Sequence, residues 1–292
     1  MRTLAPVATL LLAGSTLAAQ SAPKAIWSDP PHDKQHPARM EVLHVPSGGV
    51  KINGIALVAV GAGLHPTFVF YHGLPGNEKN FDLLQAVRRA GWNAVTINYR
   101  GSWGSPGDFR FDQTVEDAAA VLAYLRDTAT VRALAIDTTR IVVGGHSMGG
   151  WVAALTASRD ARLRGAVLIS AADIGRVGAS MKRDEAVPFM ADNMESLAGG
   201  TAATFADDLL AGADRRRMTR AAPGLVRLPL LVLTSDDGLA SHSDSLVAAV
   251  KRLGGTRVST AHVATDHSWS DRRVRLITAI LRWLDRLPGA PR

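Results

Sequence analysis

A serine between close glycines, a pair of aspartates and a histidine each follow a separate apolar run, and together these residues could do nucleophilic chemistry. Residues 140–150 read Arg-Ile-Val-Val-Gly-Gly-His-Ser-Met-Gly-Gly. Ser147 therefore leaves the β-branched run Ile141, Val142, Val143 and enters a helical pattern through Trp151, Val152 and Leu155. Gly145-His146-Ser147-Met148-Gly149 fits G-x-S-x-G, a sharp strand-to-helix turn that projects the hydroxyl above a sheet, with glycines removing Cβ atoms that would clash. A hydroxyl attacks poorly unless a base takes its proton and a third group orients that base. His267, in Thr265-Asp266-His267-Ser268-Trp269, is the candidate base, and Ser235-Asp236-Asp237-Gly238 supplies the acid. The chain order is then nucleophile, orienter, base. Asp236 and Asp237 compete for the orienting role. Asp237 is the first choice because it directly precedes Gly238, where the chain turns. Asp236 would point to the other side if extended alternation persists, and would brace the loop by accepting backbone N–H bonds. Asp266 is the remaining choice.

A second glycine-rich stretch, His72-Gly73-Leu74-Pro75-Gly76, directly follows a short apolar run at residues 67–71. Such a loop can turn backbone N–H groups toward a developing oxyanion, and the Leu74 and Met148 amides are the expected donors. His72 is read as bracing that loop. His146 is read as pointing away from the chemistry, while Trp103 and Trp269 either line the pocket or pack.

These residues need a sheet whose strands all end at one edge. Residues 40–45 and 50–60 predict two strands across Ser47-Gly48-Gly49, the antiparallel start of a sheet. Strands at 67–71, 93–99, 141–143, 165–171, 228–234 and 257–263 follow, with helices at 81–90, through Leu125, at 243–253 and at 274–287. Thr114 and Asp117 read as a capping box, which makes Asp117 a cap and not a catalytic acid. From residue 173 to 226 the alternation stops. Two helical patterns, a Gly199-Gly200 break and Met181, Met190, Met194 and Met218 occupy the gap, and so long an interruption predicts a lid-like insertion. Its methionines either line an apolar acyl pocket or fill core.

The chain has 292 residues, 47% of them hydrophobic, enough for one large α/β domain. It contains no cysteine, which excludes disulfide scaffolds and thiolate metal sites. Met1 and Arg2, the apolar stretch from Leu4 to Leu17 and the small residues Ala18 and Ala19 predict a secretory signal over residues 1–19, hence export to the periplasm or medium with no stable membrane anchor after cleavage. Residues 20–39 read as a flexible lead-in; His32 and His36 sit among Pro30, Pro31 and Pro37, which deny them a helix to present a metal. The net charge of +7 is spread out, and its densest run, Arg215-Arg216-Arg217 with Arg220, lacks interleaved aromatics and reads as a solvated helix face. Nucleic-acid binding is not expected.

With these motifs in place, residues 40–292 resemble the α/β-hydrolase fold: a mostly parallel central sheet, helices on both faces and a helical cap insertion at residues 173–226. Asn98-Tyr99-Arg100-Gly101-Ser102 and the helix after it are similar to the dienelactone-hydrolase-like and prolyl-oligopeptidase-like branches; the acid loop departs from their pattern by its two adjacent aspartates with no glycine ahead of them. The resemblance implies acyl transfer to water, with Ser147 attacking, His267 as base then acid, and the aspartate fixing the tautomer. It implies no metal and no organic cofactor. The expected partner is a small-molecule acyl substrate. A carboxylesterase-like hydrolase is the favoured reading, a small peptidase or amidase the runner-up, and a non-catalytic binding protein on the same fold the reading from another class.

Overall fold

In the computed structural model residues 22–288 are described; the expected signal over residues 1–19 lies outside them. The described strands are β1 (Arg39–Ser47), β2 (Val50–Val58), β3 (His65–Tyr71), β4 (Asn93–Ile97), β5 (Ile136–His146), β6 (Ala166–Ile169), β7 (Leu230–Ser235) and β8 (Val258–Val263). They form one sheet in the order β1-β2-β4-β3-β5-β6-β7-β8, antiparallel at β1-β2 and β2-β4 and parallel from β4 onward.

The helices are α1 (Phe81–Arg89), α2 (Phe111–Leu125), α3 (Thr128–Leu134), α4 (Met148–Arg159), α5 (Ile174–Ser180), α6 (Arg183–Ala191), α7 (Ala202–Ala211), α8 (Ala222–Leu225), α9 (Ala240–Arg252) and α10 (Arg273–Asp285). Side chains on β3 alternate between two layers. Val69 and Tyr71 join the core made with α2, α4 and α9, and Phe68 and Phe70 the one made with α1 and α10. Every residue of β3 is buried, as a parallel strand covered on both faces requires. The parallel strands end together, so the loops that leave β3, β5, β7 and β8 share one edge, the general position of ligand sites in α/β sheets.

Three expectations change. Residues 173–226 carry four α-helices and a 3-10 turn, not two helices, and their buried Met190, Phe205, Leu209 and Met218 are continuous with the α2–α4 core. Asp117 caps nothing. It lies mid-helix in α2, fully buried, accepting from the Arg100 N–H at 2.8 Å, Arg100 Nε at 2.6 Å and Ser47 Oγ at 2.5 Å. The run at 215–217 is a solvated face only in part, since Arg215 and the nearby Arg220 are exposed. Arg216 is buried, pairing with both oxygens of Asp112 (2.8 and 2.9 Å) and with Asp208 (2.6 Å), so it ties α7 to α2. Charges separated by about a hundred residues leave no mark in local spacing.

Removing one member of a buried pair strands the other, at a cost of about 3–5 kcal/mol. Asp117→Ala should therefore lower stability by about that amount by urea denaturation, while Asp214→Ala in an exposed turn should change it by less than about 0.5 kcal/mol. Equal stability of the two variants would refute the role given to Asp117.

Candidate active site

β5 delivers Ser147 to the sheet edge and α4 carries the chain away. Ser147 has φ 58° and ψ −125°, a conformation that costs an L-residue strain, and neighbouring interactions hold it there. Its N–H donates to the Ile169 carbonyl (3.0 Å), and its own carbonyl accepts from Gly150 and Ala172 (3.0 Å each). The glycines are required by close approach: a Cβ on Gly145 would collide with the Gly149 carbonyl, and one on Gly149 with the Tyr71 carbonyl.

His267 comes from the loop after β8. Its Nδ1 lies 2.7 Å from Asp237 Oδ2, and the other Asp237 oxygen accepts the Leu239 N–H at 2.9 Å. Burial opposes ionisation of Asp237, yet the bonds from His267 and Leu239 outweigh it and bring the carboxyl down to about 2. An ionised Asp237 is an acceptor only, so Nδ1 carries the proton and Nε2 is left with its lone pair. Asp236 lies elsewhere: Oδ1 is 2.9 Å from His262 Nε2 on the edge strand, and its N–H donates to Thr265. It braces the loop through an imidazole and its own N–H rather than by accepting backbone N–H bonds. Asp266 accepts from the Ser270 N–H and makes no bond to His267 among the described residues.

Ser147, His267, Leu74, His146 and Glu78 line one cleft of about 180 Å³. Gly73 passes so close above the serine that a Cβ there would stand 3.0 Å from Ser147 Cβ. Met148 opens α4, where the first N–H groups have no acceptor within the helix and carry its positive end. The Gly73–Gly76 loop is pinned from behind: Tyr99 Oη donates to the His72 carbonyl (3.0 Å), and Trp103 Nε1 (2.7 Å) and Ser196 Oγ (2.9 Å) to that of Pro75. Residues 194–198 thus reach the loop from its flank. No residue from 173 to 226 lines the cleft, and Met190 and Met218 are core. Trp103 and Trp269 do not line it either.

Sequence reasoning takes His146 for a bystander and passes over Ser170. His146 does not point away. It lines the cleft, its ring lies 4.5 Å from that of His267, and its Nε2 is 2.8 Å from the His267 carbonyl. Buried Trp269 donates to Ser170 Oγ (3.0 Å), which in turn lies 2.8 Å from Ser235 Oγ, linking the ends of β6 and β7 to the loop of His267. The signal for the latter was a serine closing each apolar strand. Among the described residues no group of three His, Asp or Glu gathers as a metal would require.

Burial, then His267, holds His146 down to about 4; burial, then Lys79, holds His72 at about 3. In the unfolded chain both bind a proton near 6.5, so between 6.5 and these values the unfolded state carries more protons and stability falls as pH falls. Asp237 continues the loss below its ordinary 3.8, toward 2. For His146 alone the difference between pH 7 and pH 4 is on the order of 3 kcal/mol. His146→Gln should reduce the slope of urea stability against pH between about 4 and 6.5 to the part that His72 supplies; an unchanged slope would show that His146 does not contribute to it.

A family model for the Alpha/beta hydrolase family matches residues 68–289. Among solved structures, a Pyrobaculum calidifontis esterase is 21% identical with a TM-score of 0.61, over 85% of this chain and 86% of its own. A Pyrococcus furiosus esterase is 17% identical, TM-score 0.64, over 89% and 98%. A Pyrococcus horikoshii acylaminoacyl peptidase is 16% identical, TM-score 0.65, over 87% of this chain but only 43% of its own. At these identities the likeness is one of fold.

Proposed function

Since the chain belongs to the alpha/beta hydrolase family, we propose that it is a serine hydrolase cleaving ester-type acyl bonds through an acyl-enzyme. The observation that carries this is that His267, on the wall of the cleft that holds strained Ser147, is bonded at 2.7 Å to Asp237 behind it. Ser147 Oγ attacks the carbonyl while His267 Nε2 takes its proton. The Leu74 and Met148 N–H groups stabilise the oxyanion, about 3–4 kcal/mol per donor. His267 then protonates the departing alcohol, and water repeats the sequence on the acyl-enzyme to release the acid. The leader-like residues 1–19 support export. A cleft of about 180 Å³ is below the usual ligand-site range of about 300–1,000 Å³, which favours short acyl groups. A panel of p-nitrophenyl esters of rising acyl length, with aminoacyl anilides alongside, tests the proposal; no turnover of any ester would overturn it.

One observation favours the runner-up among substrates. Glu78 lines the cleft, its Oε1 accepts only the Asn80 N–H (2.9 Å), and it has no cationic partner among the described residues. A substrate ammonium would supply one, as an aminoacyl ester or amide does. Glu78→Gln should raise KM for a cationic aminoacyl ester by about tenfold and leave a neutral acetyl ester nearly unchanged. Equal effects on both would assign Glu78 to the loop alone.

A further inference from the structure

The antiparallel end of the sheet is left partly uncovered on the side where α1 packs. Val42 on β1 lies opposite Ile55 on β2, and Ile55 opposite Thr96 on β4, so the three form one cross-strand row. Leu57 shares their face by alternation and is buried with the side chains of α1, whereas Val42 is 65% exposed. A groove of about 410 Å³ lies over the row, within the usual ligand-site range of about 300–1,000 Å³. Phe81, at the start of α1, and Trp103 line it with Val42, and all are exposed. Exposed apolar side chains scattered singly need no explanation, but a cluster of them around a concavity marks a binding surface.

The groove contains one cationic side chain and no acidic one. Lys79 Nζ donates to Asn98 Oδ1 at 2.9 Å and stands 4.7 Å from the centre of the Trp103 ring, and neither partner carries a charge. Lys79 and Asn98 are only half-buried, Trp103 is exposed, and all line the groove, so the ammonium belongs to its wall. The acids next to it in sequence are engaged elsewhere: Glu78 lines the Ser147 cleft and accepts the Asn80 N–H, and Asp82 pairs with Arg273 at 2.6 Å. Partial burial with no counter-charge brings Lys79 down to about 7. An anion with an apolar body would supply that charge and cover the floor. A flat ring also gains offset or edge contacts with Phe81 that an aliphatic chain does not.

We propose that this groove is a second ligand site, for an aromatic monocarboxylate, with the carboxylate on Lys79 Nζ and the ring on Val42, Ile55 and Phe81. Phosphate would reach the ammonium but leave the apolar floor bare. The groove shares no lining residue with the Ser147 cleft, so the site and its test are independent of the chemistry assigned there.

Benzoate and 1-naphthoate, titrated calorimetrically into the full chain, should bind saturably, and benzamide and inorganic phosphate at least about tenfold more weakly than benzoate. Lys79→Met keeps the stem beside Trp103, removes the charge and should weaken both acids by at least about tenfold. Val42→Glu places a carboxylate on the floor and should cause a loss of the same order; Val42 is exposed on an edge strand, so this variant carries the test if Lys79→Met fails to fold. No saturable binding by about 10 mM acid, benzamide binding as tightly as benzoate, tighter phosphate, or full affinity in either folded variant would each overturn the proposal. The last result would place the acid elsewhere, in the Ser147 cleft among other sites.

Discussion

Ser147→Ala is expected to lower kcat on a short p-nitrophenyl ester by about 10⁶-fold, the scale of losing the nucleophile in a serine hydrolase, with little change in melting temperature. Alanine keeps the Cβ, so the backbone strain at φ 58°, ψ −125° stays. Ser147→Gly separates chemistry from strain. Glycine accepts that conformation, which relieves about 1–3 kcal/mol, but it gains unfolded-state entropy worth about 0.5–1 kcal/mol. The glycine variant should therefore be as inactive as the alanine variant and more stable by roughly 1 kcal/mol. A fluorophosphonate probe should add to the peptide carrying Ser147, and EDTA should leave activity intact. Labelling of another serine, or a Ser147→Ala enzyme within tenfold of wild type, would end the assignment.

What the sequence disclosed was whatever local spacing encodes. G-x-S-x-G between a β-branched run and a helical run marks Ser147 because the glycines answer to contacts within a few residues, Gly145 with Gly149, and to the neighbouring strand at Tyr71. That the sheet is mostly parallel after an antiparallel start followed from the alternation of strands and helices. The sequence hides Arg216 because it lies in the turn after α7 and its partner Asp112 comes from α2, and a run of arginines looks the same whether its middle member is solvated or buried. Asp117 failed for the same reason: its ligands Ser47 and Arg100 come from β1 and the loop after β4, so the local Thr114 spacing was a coincidence. His146 alternates out of register with expectation because its ring is captured by the His267 carbonyl, a contact across 121 positions. Helices within residues 173–226 were undercounted since short helices of four to ten residues give too few turns for a period to show.

The other large effect concerns the two adjacent acids, which differ by one position and should differ by orders of magnitude. Asp237 puts Oδ2 2.7 Å from His267 Nδ1 and is nearly sealed, its side chain 3% exposed. Asp236 faces solvent with a side chain 61% exposed and meets His262 on the edge strand. Asp237→Asn keeps the shape but offers His267 Nδ1 either an N–H or a neutral carbonyl. The ring then has reason to carry its proton on Nε2, which cannot take one from Ser147, and the imidazolium formed in the transition state loses its counter-charge. The expected fall in kcat is about 10⁴-fold, the cost of the wrong tautomer in a serine-protease triad. Asp236→Asn breaks only an exposed pair, worth about 0–1 kcal/mol, and should leave kcat within about twofold. Melting temperatures guard against a trivial cause: both variants should stay folded at pH 7, while the dependence of stability on pH below about 3.8 should weaken in Asp237→Asn alone. A folded Asp237→Asn enzyme with near-normal kcat, or a crippled Asp236→Asn enzyme, would reverse the assignment of the acid.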